Sequence, residues 1–303
     1  MKAPFRYFGG KSAVADEVWR RLGTGPEAPK HYIEPFAGSL AVLLSRPPPV
    51  DGQIFTETIN DLDGLVVNVW RAIAADPKSV SRHASWPVSE VDMHARRDWL
   101  LSRRDEITAK LSDPEWFDAR AAGWWIWGAS LWIGSGWGKS KSRQMPQLAH
   151  RRHIGIPEKS LALIESVSKR MSGVRALCGD WRRALSRSLT GPPTRSRGLW
   201  PVAIFFDTPY PRGTRYAVGG DPSAVHDDAW SWVVQAAERD PSIRIAFCGY
   251  EDGRHLPPGW TTYRWSTANR ERGSGYGNQA SSGPGRERGR QEVIWFSPGC
   301  LPP

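Results

Sequence analysis

The sequence predicts an α/β fold: a mostly parallel twisted sheet flanked by helices, interrupted by a small, mainly helical insertion. Three observations carry this expectation. Short apolar strand signals alternate with helical periodicity over residues 1–76 and again from residue 159 onward. Four strand signals run into an acidic residue: Glu34, Asp61, Asp180 and Asp207. Between the two alternating regions, residues 77–158 are rich in Trp, Arg and Lys. An interruption of about 80 residues is too long for a structureless loop, so it should form a small domain of its own. The expected organisation is a discontinuous domain, residues 1–76 and 159–303, carrying an inserted domain of residues 77–158.

Each element follows from local pattern. Ser12 to Leu22 places Val14, Val18 and Leu22 at helical spacing. Tyr32-Ile33-Glu34 is a short strand that stops at Pro35, and a helix restarts over Ser39 to Leu44 after Gly38. Ile54 to Ile59 reads as a second strand. Leu62 to Ala75 reads as a helix with Leu62, Leu65, Val66, Val69 and Ile73 on one face. Beyond the insertion come a strand at Val174 to Cys178, a helix at Trp181 to Leu189 and a strongly apolar strand at Val202 to Phe206. A helix from about Asp227 to Arg239 precedes a strand at Ile243 to Cys248, and Thr261 to Trp265 pairs naturally with Glu292 to Phe296. The connection from Asn269 to Gln291 is rich in Gly, Ser and Arg and reads as a mobile loop.

Composition narrows the class. The chain has 303 residues, of which 40% are hydrophobic, enough for a sizeable core. Its formal net charge of +10 favours an anionic partner, nucleic acid first. The three cysteines, Cys178, Cys248 and Cys300, have neither metal-ligand spacing nor an even-numbered framework. A reduced, cytoplasmic protein without a metal is therefore expected. The N-terminus has no apolar run of signal-peptide length, and no stretch reaches the ~20 apolar residues that span a bilayer. Most of the 17 tryptophans should be core or interface.

The strand-end acids suggest chemistry. In open α/β sheets ligands sit at the carboxyl ends of the strands. Glu34-Pro35-Phe36-Ala37-Gly38-Ser39 ends a strand, turns through glycine and starts a helix, so a ligand can approach the backbone at Gly38. Asp61 follows at roughly the 20-residue distance at which an acid in a nucleotide-binding unit reaches ribose hydroxyls. The glycine pattern is not G-x-G-x-x-G, which disfavours a pyrophosphate-bearing dinucleotide and an oxidoreductase. A cationic, phosphate-free nucleoside such as S-adenosylmethionine suits the acids better. Each acid alone also fits a capping carboxylate. In Asp207-Thr208-Pro209-Tyr210, a buried strand delivers a carboxylate and then an aromatic across a rigid proline. The Asp207 carboxylate and the Thr208 carbonyl could together accept the two hydrogens of a flat exocyclic amine, with Tyr210 stacking on the ring. A strand-end aspartate capping a turn is the plainer alternative.

Taken together, these motifs resemble the Dam-type adenine-specific DNA methyltransferases. Phe5-Arg6-Tyr7-Phe8-Gly9-Gly10-Lys11 is similar to that family's aromatic-x-Gly-Gly-Lys opening, and Tyr32 to Ser39 to its cofactor motif. Asn60-Asp61-Leu62-Asp63 is similar to its second acidic strand end, and Asp207-Thr208-Pro209-Tyr210 to its Asp-Pro-Pro-Tyr box. Thr208 is the departure, standing where the family usually has proline. The resemblance spans the chain except for much of 77–158 and the loop at 269–291. It implies a Rossmann-like methyltransferase fold whose insertion is a target-recognition domain, and S-adenosylmethionine as cofactor. Tyr7, Gly9, Gly10, Lys11, Glu34, Pro35, Phe36, Gly38, Asp61, Asp180 and Asp207 would bind that cofactor. Asp207, Thr208, Pro209 and Tyr210 would hold a base flipped out of double-stranded DNA.

Phosphate contacts are expected from Lys139, Lys141, Arg143, Arg151, Arg152, Arg270 and Arg272, with Arg286, Arg288 and Arg290 as further candidates. The resemblance points to a monomer acting in the cytoplasm of a bacterial or phage-infected cell, with adenine N6 as target. Methylation of cytosine N4 uses the same kind of acceptor box and stays open, as does a non-catalytic DNA-binding relative.

Overall fold

The computed structural model describes every residue except 6, 8, 49, 51–52, 54, 133–136, 139–142, 149–156, 192–194, 210–219 and 266–291. A seven-stranded sheet runs through the molecule in the order β3-β2-β1-β4-β5-β7-β6. The strands are β1 (His31–Glu34), β2 (Thr56–Asp61), β3 (Val174–Cys178), β4 (Val202–Phe206), β5 (Arg244–Tyr250), β6 (Thr261–Arg264) and β7 (Glu292–Phe296). Strands β3, β2, β1, β4 and β5 are parallel, and β7 lies antiparallel between β5 and β6. Strand order reverses between β1 and β4, where Ile33 pairs with Ile204. In open parallel sheets ligands bind beside such a reversal, and here Glu34 and Asp207 stand at the carboxyl ends of the two strands that flank it.

The sheet buries both faces, as parallel sheets must. Side chains alternate along each strand, and the alternation sorts them into two cores. Tyr32, Phe205, Ala246, Ile294 and Phe296 face one way; Ile33, Ile204, Phe206, Ile245, Phe247 and Trp295 face the other. Helix α1 (Ala15–Leu22), the short α2 (Ala41–Leu44), α3 (Gly64–Ala75) and α8 (Pro157–Met171) cover the first face. The second is covered by a 3₁₀ turn (Trp181–Leu185) and by α10 (Pro222–Arg239), while α9 (Arg187–Thr190) adjoins the turn.

Four helices fill the described part of residues 77–158: α4 (Pro77–Ala84), α5 (Glu90–Ser102), α6 (Arg104–Lys110) and α7 (Ala119–Leu131). They lean on α3 and α8, and Val80, Met93, Leu100, Ile107 and Ile126 join the core of the first sheet face. Gly123 lets α7 approach α4 closely, since a Cβ there would lie 2.4 Å from the His83 Cβ. Tryptophan fills this layer and arginine stacks within it. The buried Arg96 guanidinium lies 4.6, 5.2 and 4.5 Å from the rings of Trp86, Trp124 and Trp127. No helix among the described residues is long and apolar enough to cross a membrane.

Several boundaries shift from the sequence expectation, and three of the shifts have a clear local cause. Asp63 caps α3 by accepting from Leu65 N (3.0 Å), so the helix starts at Gly64 and Leu62 is exposed rather than on its buried face. The segment expected as one helix from Trp181 to Leu189 breaks at Ser186, whose extended ψ of 151° separates the 3₁₀ turn from α9. Finally, α10 begins at Pro222, five residues before the expected Asp227, because Asp221 caps it (Ser223 N to Oδ1, 3.0 Å) and proline takes its first turn.

Candidate active site

At the end of β1 the chain turns through Pro35-Phe36-Ala37-Gly38, and β2 holds that turn in place. Ala37 N donates to the Asn60 carbonyl (2.8 Å), Gly38 N to Asp61 Oδ2 (2.9 Å) and Trp70 Nε1 to the Gly38 carbonyl (3.1 Å). Gly38 and Leu40 both adopt left-handed backbone, with φ of +46° and +53°. The Tyr7 ring lies against Gly38 so closely that a Cβ there would be 3.0 Å from Tyr7 Cδ1. The buried Asn60 amide then links neighbouring loops, donating to the carbonyls of Pro35 (3.0 Å) and Gly179 (2.9 Å). Gly179 N returns to the Asp61 carbonyl at 2.9 Å. The loops after β1, β2 and β3 are thus tied together largely through main-chain groups, with the Asp61 carboxylate, the Trp70 indole and the Asn60 amide as their side-chain partners.

The acids at this edge differ in exposure. Glu34 is buried, and its Oε1 accepts from Tyr32 OH (2.6 Å) and Leu43 N (2.7 Å). Burial pushes its carboxyl up to about 8 against those two hydrogen bonds. Asp61 is half-buried; burial raises it to about 6, opposed by the Asp63 and Gly38 amides. Asp180 is exposed, caps the 3₁₀ turn through Arg182 N (2.9 Å) and pairs with the Arg182 side chain (3.2 Å). Beside it, the half-buried Phe36 stacks on Trp181, with ring centres 6.1 Å apart.

The end of β4 is held by side chains instead. Lys11 is buried, and its Nζ sits 2.9 Å from Asp207 Oδ1 and donates to the Gly9 carbonyl (2.5 Å). The preceding turn, Gly10 N to the Tyr7 carbonyl at 3.0 Å, aims the lysine inward. Burial alone would lower the Lys11 ammonium, but Asp207 and then Glu292 outweigh it and hold it raised. Glu292, at the start of β7, is itself raised by burial, with Lys11 opposing. Asp207 and Pro209 remain half-buried while Thr208 is fully buried, its Oγ1 2.7 Å from His226 Nδ1.

Of the residues selected from sequence, the structure gathers Tyr7, Lys11, Glu34, Gly38, Asp61, Asp207 and Thr208 at the β1/β4 reversal. Asp180 lies further along the edge, after β3. Tyr210, Lys139, Lys141, Arg151, Arg152, Arg270, Arg272, Arg286, Arg288, Arg290 and the loop at 269–291 lie outside the described residues. Arg143 is exposed and pairs with Asp98 at 3.2 Å. Sequence reasoning passed over Asn60, Glu292 and His226. Signals existed for two of them: Glu292 opens an otherwise apolar strand, and His226 shares the buried helical stripe of Ala229, Val233 and Ala236.

A mostly parallel seven-stranded sheet flanked by helices, with an acid-bearing edge at its reversal, is consistent with a methyltransferase fold. Residues 7–98 match the family model of the D12 class N6 adenine-specific DNA methyltransferases, in agreement with the Dam-type resemblance. Members of that family are transferase enzymes. The matched stretch holds Tyr7, Lys11, Glu34, Gly38 and Asp61; Asp207 lies beyond it. No curated protein matches the chain.

Proposed function

We propose that this chain is a site-specific DNA methyltransferase that moves a methyl group from S-adenosylmethionine to the exocyclic N6 of an adenine flipped out of double-stranded DNA. The observation that carries the reading is the Lys11–Asp207 pair at the end of β4, beside the bare backbone of Gly38 and the half-buried Asp61. The fit to S-adenosylmethionine rests on two features. At Gly38 a side chain would fill the space against Tyr7. Asp61 Oδ2 accepts from Gly38 N and Oδ1 from Asp63 N, and a carboxylate has about four acceptor positions, leaving room for a ribose hydroxyl. Tyr7, Phe36 and Gly38 would line the cofactor, Glu34 would act on its cationic end through the protein interior, and Asp180 would lie toward its adenine.

When bound, S-adenosylmethionine supplies a methyl group on a cationic sulfur that leaves as a neutral thioether. The chain's own task is to present the amine. That nitrogen is a poor nucleophile because its lone pair is delocalised into the ring. Hydrogen bonds from the amine to Asp207 and to the Thr208 carbonyl orient it and favour the pyramidal geometry of attack, and Tyr210 stacks on the base. As the N–C bond forms, positive charge grows on nitrogen, so a fixed carboxylate stabilises the transition state more than the ground state. Lys11 fixes that carboxylate. Asp207 acts as acceptor, and the surplus proton leaves to solvent after transfer. Pro209 keeps the turn extended.

Residues 1–76 and 159–303 form the catalytic domain in this reading, and residues 77–158 carry target recognition. The protein works as a monomer, and the basic residues named above track DNA phosphates. No group of three or more potential metal ligands occurs among the described residues, and the reaction proposed uses none. The test is incubation of the purified chain with unmethylated DNA and S-adenosylmethionine, followed by nucleoside mass spectrometry. N6-methyladenine is expected. N4-methylcytosine would move the target to cytosine, and an unmodified digest would leave a DNA-binding relative.

A further inference from the structure

Thr208 offers something that proline at the same position could not, a hydroxyl, and the fold uses it. The side chain is 1% exposed, and its Oγ1 lies 2.7 Å from Nδ1 of His226, which is also 1% exposed. The other ring nitrogen, Nε2, lies 3.3 Å from Arg254 Nη2. A guanidinium can only donate, so Nε2 must accept and the proton must sit on Nδ1. The imidazole therefore donates Nδ1–H to Thr208 Oγ1.

The imidazole has little room to turn. Phe247 meets it edge to face with centres 5.0 Å apart, and a Cβ on Gly249 would lie 3.2 Å from its Cε1. Arg254 is fixed in turn by Asp252 (Nε to Oδ2, 2.9 Å) and by the rings of Trp230 and Trp295, 4.6 and 4.5 Å away. Burial, aided by Arg254, lowers His226 to about 4, against weaker opposition from Asp227 and Asp252. The ring is neutral at physiological pH, as the assigned tautomer requires.

We propose that His226, oriented by Arg254, is a positioning residue for the acceptor turn. Through Thr208 Oγ1 it locks the Thr208 peptide beside Asp207 and supplies the rigidity that a proline ring would otherwise give. The two residues are 18 apart in sequence and come from β4's end and α10, so the lock also ties that helix to the site. The inference rests on the reading of Asp207 and Thr208 as the acceptor pair.

The experiment is a double-mutant cycle in methyl transfer to DNA, with S-adenosylmethionine as donor. Thr208→Val keeps shape and removes the hydroxyl. His226→Leu removes the donor. Each is expected to lower kcat by about ten-fold, the size of one hydrogen bond, while KM for S-adenosylmethionine moves less than about two-fold. The double variant should fall no further than the worse single one. His226→Asn, whose amide N–H can take the place of Nδ1–H, should recover most of the rate. In a Thr208→Pro background, His226→Leu should cost less than about two-fold. Wild-type kcat in Thr208→Val, additive losses, or a loss confined to KM would each overturn the proposal, and the isosteric valine keeps the test valid if a His226 variant folds poorly. A wild type that methylates no DNA would overturn the functional reading instead. The contact would then still be decided by nitrogen NMR of histidine-labelled protein. A slowly exchanging Nδ1–H that exchanges faster in Thr208→Val supports the lock, and an Nε2-protonated ring contradicts it.

Discussion

At the ends of β1, β2 and β3 the site is held by main-chain groups: the amides of Ala37, Gly38 and Gly179, the carbonyls of Pro35 and Gly179, and Asn60 bridging two loops. At the end of β4 and the start of β7 it is held by side chains: Lys11 against Asp207 with Glu292 nearby, and Thr208 against His226. The first region is sensitive to volume, because a Cβ added at Gly38 would press on the Tyr7 ring. The second is sensitive to chemistry, because isosteric changes remove its contacts. In the proposed function this division is also one of labour. The backbone half binds the methyl donor and the side-chain half presents the acceptor amine. Substitutions in the first should therefore appear in KM for S-adenosylmethionine, and in the second in kcat.

The largest effect is expected in the side-chain half. Asp207→Ala should lower kcat by about 10³-fold, comparable to the loss of one preorganised electrostatic group, with affinity for S-adenosylmethionine changed far less. Steady-state methylation and calorimetry read the two quantities. Lys11→Met comes next. It leaves Asp207 next to an apolar side chain, so kcat should drop by about 100-fold. Stability to denaturant should fall by about 3 kcal/mol, as when one partner of a buried pair is removed. An unchanged unfolding midpoint would show that the pair contributes little to the fold.

A smaller effect belongs to the backbone half. Gly38→Ala introduces a Cβ against Tyr7 at a φ of +46°. The left-handed cost of about 1–2 kcal/mol falls on folding stability, while displacement of the Tyr7 ring is expected to weaken S-adenosylmethionine binding by roughly ten-fold, with kcat at saturation near the wild-type value. A kcat defect of equal size would erase the proposed division.

The smallest prediction concerns pH. Burial holds Glu34 at about 8 and Asp61 at about 6, so between those values Asp61 is ionised while Glu34 keeps its proton. A cationic ligand favours the ionised form of each carboxyl. Binding should release protons, and affinity should rise as pH increases from about 6 to about 8. Titration calorimetry in buffers of different ionisation enthalpy measures that release directly; proton uptake would reverse the sign and refute the assignment. Glu34 acts in the opposite direction on stability. Its folded pKa is raised, so the proton it holds in the folded state favours folding at low pH, and that contribution is lost as pH climbs toward about 8.

The same division explains what could be read from sequence. Val174–Cys178, Val202–Phe206 and Glu292–Phe296 were legible to the residue, because apolar runs bounded by Gly, Pro or charge leave little freedom in register. The placement of Gly38 after β1 and of Asp61 at the end of β2 was legible because a strand-turn-helix unit fixes both by local geometry. The contacts of the side-chain half were not. Lys11, just before α1, and Asp207, just after β4, are far apart in sequence and meet only through tertiary packing. His226 was missed for a local reason: the Asp221-Pro222-Ser223 cap was not used to start the helix, so the histidine fell outside its buried stripe. Over residues 77–131, the expectation that tryptophan is mostly core fits the described helices, yet nothing in composition announced that Arg96 would be buried among three of those rings.

The most direct test of the account is a single-turnover measurement of methyl transfer to DNA, comparing Asp207→Ala with Gly38→Ala as S-adenosylmethionine is raised to saturation. The account predicts that the rate of Gly38→Ala climbs to near wild type while that of Asp207→Ala stays about 10³-fold below it at every concentration. An Asp207→Ala protein that reaches the wild-type rate at saturating S-adenosylmethionine would contradict it.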